Sequence, residues 1–132
     1  MKKFENFKSN LRVLERAETE DLSNEFVKGG IIDKFYIQFE LAWKTMKEYL
    51  KYEGVSEAKT GSPREIIKSA YKYYDFIDEE TWLVMLVDRN DTTHIYDGAA
   101  ADRLVNKILT TYIPEFKKIE ASFEKRYVSS NS

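Results

Sequence analysis

Between Ile31 and Leu50 the chain repeats its apolar residues with the period of an α-helix, over a longer stretch than anywhere else. With Phe39 as reference and about 100° per residue, Ile32, Phe35, Tyr36, Ala42, Trp43, Met46 and Leu50 lie within about 60° of it. Ile37 and Leu41 fall on the opposite side. A helix that is apolar on two sides is usually central or sits at a contact between subunits. The segment therefore predicts a bundle organised around one long helix, and a homodimer.

The flanking sequence supplies the other helices. Phe4, Phe7, Leu11 and Leu14 follow a 3-4-3 spacing that puts them on one helical face. A polar connection spans Thr19 to Asn24, and Gly29-Gly30 predicts a local irregularity ahead of the central helix. Glu53-Gly54 closes that helix. After a polar loop to Gly61, Ser62-Pro63 reads as an N-cap with proline at the first helical position. Ile66, Ile67, Ala70, Tyr71 and Tyr74 then mark a third helix.

Asp78 is placed to cap a fourth, with Glu79 and Glu80 in its favourable first turn. Its body, Trp82 to Val87, is apolar all round, so periodicity alone does not separate helix from strand. A lone strand would have no partner, which decides for helix. Asp97-Gly98 caps a last long helix running through Leu104, Ile108, Tyr112, Phe116, Ile119 and Phe123, which Pro114 should kink or split. The expectation is one all-α domain over residues 1–127, an up-and-down bundle of four or five helices, with a frayed tail over 128–132.

Composition narrows the chemistry. A net charge of −2 argues against a general nucleic-acid coat, which needs a basic surface. The absence of cysteine removes disulfides, thiolate zinc sites and thiol catalysis. No signal-peptide pattern or membrane-length apolar run is present, so the chain reads as soluble and cytoplasmic.

The chemically richest segment is Arg89-Asn90-Asp91-Thr92-Thr93-His94-Ile95-Tyr96, which holds the single histidine of the 132 residues. Arginine is a permanently charged phosphate ligand, and histidine exchanges a proton near neutral pH. The pair suits cleavage of a phosphodiester that supplies its own nucleophile, the RNA 2′-hydroxyl, without a metal. That reaction wants two proton-transfer groups, and a dimer joining two copies of the segment would provide them. If the segment is helical, Arg89, Thr93 and Tyr96 share one face and Asn90 and His94 a neighbouring one. Thr92-Thr93 and Asp97-Gly98 make a break equally reasonable.

Plainer accounts stand beside this one. His94 could be a helix cap, Arg89 an ion-pair partner of Asp88, Asp91 or Asp97, and Tyr96 a core or rim residue. A metal site on His94 and these aspartates is weak with one histidine and no thiolate. Lys44, Lys47 and Lys51 could meet phosphates, although a solvated helix face explains them. Tyr71, Tyr73, Tyr74 and Phe76 could stack bases, although core packing is simpler.

Phe39-Glu40-Leu41-Ala42-Trp43-Lys44, Ser62-Pro63-Arg64, Trp82 with Arg89-Asn90, and His94-x-Tyr96, in this order, resemble the nucleotidyltransferase substrate-binding proteins of the wider HEPN group, which includes the HepT-like toxins. The likeness runs from about Phe4 to Tyr127. It implies a homodimeric four- or five-helix bundle that partners a minimal nucleotidyltransferase in a toxin–antitoxin-like pair. It also implies a metal-independent RNase site at the dimer cleft with no cofactor. There Arg89, His94 and Asn90 are catalytic, Arg89, Thr93 and Lys44 contact substrate, and Tyr96 accepts AMP from the partner to silence cleavage. RNA cleavage is favoured over the alternative, a non-catalytic nucleotide- or substrate-binding subunit.

Overall fold

The central helix starts at Asn24, whose side-chain oxygen accepts from the backbone N–H groups of Phe26 and Val27 at 2.8 and 3.3 Å. In the computed structural model, which describes residues 1–129, this helix, α2, runs from Glu25 to Tyr52. It passes through Gly29-Gly30 without interruption, which corrects the irregularity expected there. The Asn24 cap satisfies the orphan donors of the first turn, and the helix behind it carries the two glycines. α2 ends at Glu53, and Gly54 turns the chain away with a φ of +81°, a conformation that favours glycine.

Around α2 stand α1 (Lys2–Glu15), α3 (Pro63–Tyr73) and α4 (Glu79–Asn90). A last rod consists of α5 (Gly98–Lys107), a π-helical turn (Ile108–Tyr112) and α6 (Ile113–Phe123). A further π-helical turn spans Glu124–Val128. Short 3-10 turns lie at Arg16–Thr19, Ser56–Lys59 and Thr93–Ile95. No strand occurs among the described residues, so the domain is an all-α bundle of five rods. α2 touches α1, α3, α4 and α5, and α6 closes the circuit against α1. The tail expected to fray from Val128 begins in the second π-helical turn, and residues 130–132 lie outside the described residues.

The caps follow the sequence signals. Ser62 and Glu65 form a reciprocal capping box in front of Pro63. Asp97 accepts from the N–H groups of Ala99 and Ala100. Asp78 occupies the N-cap position of α4 but bonds the Thr81 hydroxyl at 2.8 Å instead of a backbone N–H. Pro114 sits in the first turn of α6, directly behind the π-helical turn. The wider turn absorbs the hydrogen bond that proline cannot donate, so the long helix is split as expected.

Rings dominate the core. Phe4, Phe7, Phe35, Phe39, Trp82, Phe116 and Phe123 are fully buried, and Phe35 stacks on Tyr112 with centroids 5.3 Å apart. One polar group crosses this core. Gln38, also fully buried, donates to the Phe7 carbonyl at 2.9 Å and accepts from Asn10 at 2.7 Å, fastening α1 to α2. Tyr71 is half-exposed and does not share the buried face of α3.

The apolar surfaces of α2 and α4 are incompletely covered. Only Trp82 and Met85 of the α4 run are buried, while Val84 and Val87 are 41% and 65% exposed and Ile37 on α2 is 46% exposed. No helix among the described residues is long and apolar enough to cross a membrane.

A Cβ on Gly30 would meet nothing within 4 Å. Gly30→Ala should therefore raise stability by about 0.5–1 kcal/mol, because alanine loses less backbone entropy in a helix. A rise in thermal midpoint is expected. A fall would contradict the continuous helix through this position.

Candidate functional site

Arg89 lies in the last turn of α4, a favourable place for a cation beside the helix dipole. Its guanidinium makes a close ion pair with Glu40 of α2 and donates from Nη1 to the Asn90 side chain at 3.1 Å. The partner is thus Glu40, not Asp88, Asp91 or Asp97, because α2 and α4 pack side by side and bring residues 49 positions apart into contact. Glu40 is shared further. Trp43 Nε1 donates to it at 3.2 Å, and Lys44 Nζ lies 3.6 Å away. Lys44 also approaches the Trp43 ring, at 5.9 Å from its centroid.

After Asn90 the helix stops, and the segment is broken rather than helical. Asp91 ends α4, and its Oδ1 accepts from the Thr93 hydroxyl at 2.6 Å and the Thr93 N–H at 2.9 Å. This side-chain turn outcompetes the helix, as short Asp and Thr side chains commonly do. The two bonds hold the Asp91 carboxyl below its ordinary value, the Thr93 hydroxyl contributing most. One 3-10 turn, Thr93–Ile95, then carries the histidine.

His94 is half-buried and faces α2. The Tyr36 hydroxyl lies 3.1 Å from His94 Nε2 and 3.4 Å from Nδ1, and the rings meet edge-on at 5.7 Å. Burial foremost, then the charges of Asp33 and Asp91, raises the Tyr36 pKa above its ordinary value of 10.0. The phenol therefore stays protonated, and its hydroxyl shares a hydrogen bond with the imidazole. Tyr96 is 89% exposed, which corrects any reading of it as a core residue.

Two hollows open against His94. One, of about 450 Å³, is lined by Glu25, Lys28, Gly29, Ile32 and Asp33 of α2 and by His94, Ile95, Tyr96, Gly98 and Ala101. The other, of about 270 Å³, is lined by Asp88, Asp91, Thr93, His94 and the Ala100–Lys107 face of α5, including Arg103. A larger hollow, of about 730 Å³, lies at the far end of α2 beside Tyr49, Tyr52 and Tyr127. Among the described residues no group of three or more His, Asp or Glu side chains could hold a metal ion.

A sequence model of the family described as "nucleotidyltransferase substrate binding protein like" matches residues 2–125. The chain belongs to this family. No curated protein matches it. The family's name implies a nucleotidyltransferase as partner.

In this family member the structure gathers Arg89, Asn90, Thr93, His94 and Tyr96 at one end of α4, with Lys44 beside Arg89 through their shared Glu40. The sequence marks Glu40 only within the Phe39–Lys44 block and Tyr36 only as part of the apolar face, and gives no sign of Arg103. The i,i+3 and i,i+4 spacing of Glu40 to Trp43 and Lys44 was a legible signal. Nothing local ties Tyr36 or Arg103 to His94, a relation made by packing.

The lowered Asp91 pKa fixes the sign of an acid response. Its contribution to the Thr93 turn is present above about pH 4 and is lost as pH falls through the lower folded-state value. Amide-exchange protection at Thr93 should drop on acidification and be absent at neutral pH in Asp91→Ala. Unchanged protection in that variant would contradict the turn.

Proposed function

We propose that this chain is the nucleotide-binding subunit of a two-component nucleotidyltransferase, and that the cleft at His94 receives the nucleotide. The observation that carries this reading is the state of Arg89. Its charge is already matched by Glu40 within the same protomer, and His94 is partnered by a phenol that resists deprotonation. That arrangement offers hydrogen bonds and a shaped cleft. Within one protomer it presents a single imidazole, whereas transesterification of RNA calls for both an acid and a base. Family membership over residues 2–125 supports the same reading. In it His94 and Thr93 orient the nucleotide, Asn90 holds the Arg89 guanidinium in its plane, and the Lys44 ammonium adds positive charge at the Glu40 carboxylate that Arg89 shares.

A second reading is metal-independent RNA cleavage across a homodimer, silenced by AMP transfer to Tyr96. Two observations favour it. Ile37 on α2 and Val84 and Val87 on α4 present uncovered apolar surface beside Arg89, suited to a second copy that would bring a second His94. Tyr96 is almost fully exposed two residues from His94, as an acceptor of a nucleotidyl group must be.

The two readings part in one assay, RNA incubated with the purified chain in excess EDTA, wild type beside His94→Ala. The binding reading expects no cleavage from either protein across several RNAs. Cleavage present in wild type and lost in His94→Ala would overturn it in favour of the nuclease. Incubation with the nucleotidyltransferase and ATP adds a second check. If Tyr96 is the acceptor, intact mass should show added AMP that Tyr96→Phe abolishes, and an adduct that persists in this variant would place the acceptor elsewhere.

A further inference from the structure

We propose that His94 divides one bipartite nucleotide site, in which Arg103 receives the phosphate and the hollow beside Gly29 receives the base. This rests on the reading of the His94 cleft as a nucleotide site and deepens it by assigning the two ends. His94 lines both hollows, and they open on different faces of α5. Gly98 and Ala101 look into the larger one, whereas Arg103 and Lys107 look into the smaller.

Charge sorts the two ends. In the larger hollow the Lys28 ammonium is bound to Asp102 at 2.7 Å, while Glu25 and Asp33 have no ion-pair partner among the described residues. Two uncompensated carboxylates repel a phosphate and accept hydrogen bonds from the exocyclic amine of a base such as adenine. The remaining walls are flat or apolar. Ile32 and Ile95 supply carbon, and a Cβ on Gly29 or Gly98 would meet nothing within 4 Å. The volume, about 450 Å³, falls in the range of small-molecule sites.

In the smaller hollow one oxygen of each aspartate is engaged, and the Asp88 charge is matched by a lysine. Asp88 accepts from Tyr112 and pairs with Lys107 at 2.6 Å, and Asp91 accepts from Thr93. Arg103 is exposed there with no carboxylate partner among the described residues. It is the guanidinium at this site that remains open to a phosphate, since Arg89 is held by Glu40. The imidazole between the hollows can then bond the ribose or the bridging oxygen.

The test is calorimetric binding of AMP and of adenosine to the full chain, comparing wild type with Arg103→Gln, Gly29→Leu and, as a control at an exposed cation on α6, Lys117→Gln. Arg103→Gln should weaken AMP about tenfold, the scale of one charge-assisted hydrogen bond, and leave adenosine unchanged. Gly29→Leu fills the base hollow at a position where the fold has room, so it should weaken AMP and adenosine alike by at least about tenfold. Lys117→Gln should change neither, and thermal melts verify that each variant is folded. Wild-type AMP binding that Arg103→Gln leaves intact, or that it weakens equally for adenosine, overturns the assignment of the phosphate while the underlying site stands. Adenosine binding unaffected by Gly29→Leu overturns the base hollow. A wild type that binds neither ligand overturns the nucleotide-site reading itself.

Discussion

The contact on which the rest of the site depends is the ion pair between Glu40 and Arg89. It ties the middle of the longest helix to the last turn of α4, and Asn90, Thr93, His94 and Tyr96 follow within seven residues of Arg89. Glu40 also takes the Trp43 N–H, so its carboxylate is fixed from its own helix before Arg89 arrives. About a third of each partner's side chain remains accessible, so solvent screens the pair and its value for global stability is small. Its importance is positional. With the end of α4 pinned, the Asp91–Thr93 turn starts from a defined place and carries His94 back against Tyr36.

The proposed nucleotide site has to be reconciled with the slight negative charge of the chain. About half of its cations lie within ion-pair distance of a carboxylate, as Lys8, Arg12, Lys28, Lys107 and Arg126 illustrate. On the proposed reading a phosphate is recognised at Arg103, a guanidinium without a carboxylate partner among the described residues, rather than by a general basic surface. The half-covered apolar faces of α2 and α4 adjoin the same region, so partner docking and ligand binding would share one end of the bundle.

Much of the fold was legible because the bundle is built from long, regular elements. The period around Phe39, the Phe4–Leu14 stripe and the Ser62-Pro63 cap each correspond to an observed helix, and Phe35, Phe39 and Trp82 are all core. α2 starts earlier than the apolar pattern indicates, because the Asn24 cap, seven residues before Ile31, sustains the helix through Gly29-Gly30. The apolar run of α4 overstated burial, since a continuous apolar stretch does not reveal which side lacks a neighbour. At the site, Arg89 and His94 stood out by residue type and spacing. Their partners did not, because Glu40 and Tyr36 reach them across 49 and 58 positions and Arg103 acts from another helix.

The central claim is that the Glu40–Arg89 tie sets the placement of His94. A double-mutant cycle read by backbone amide exchange over residues 91–96 tests it most directly. Glu40→Ala and Arg89→Ala should each lower protection in this turn, leave the α1–α6 core unchanged, and together lower it no further than either alone. Additive losses, or a turn as protected in Glu40→Ala as in wild type, would contradict the account.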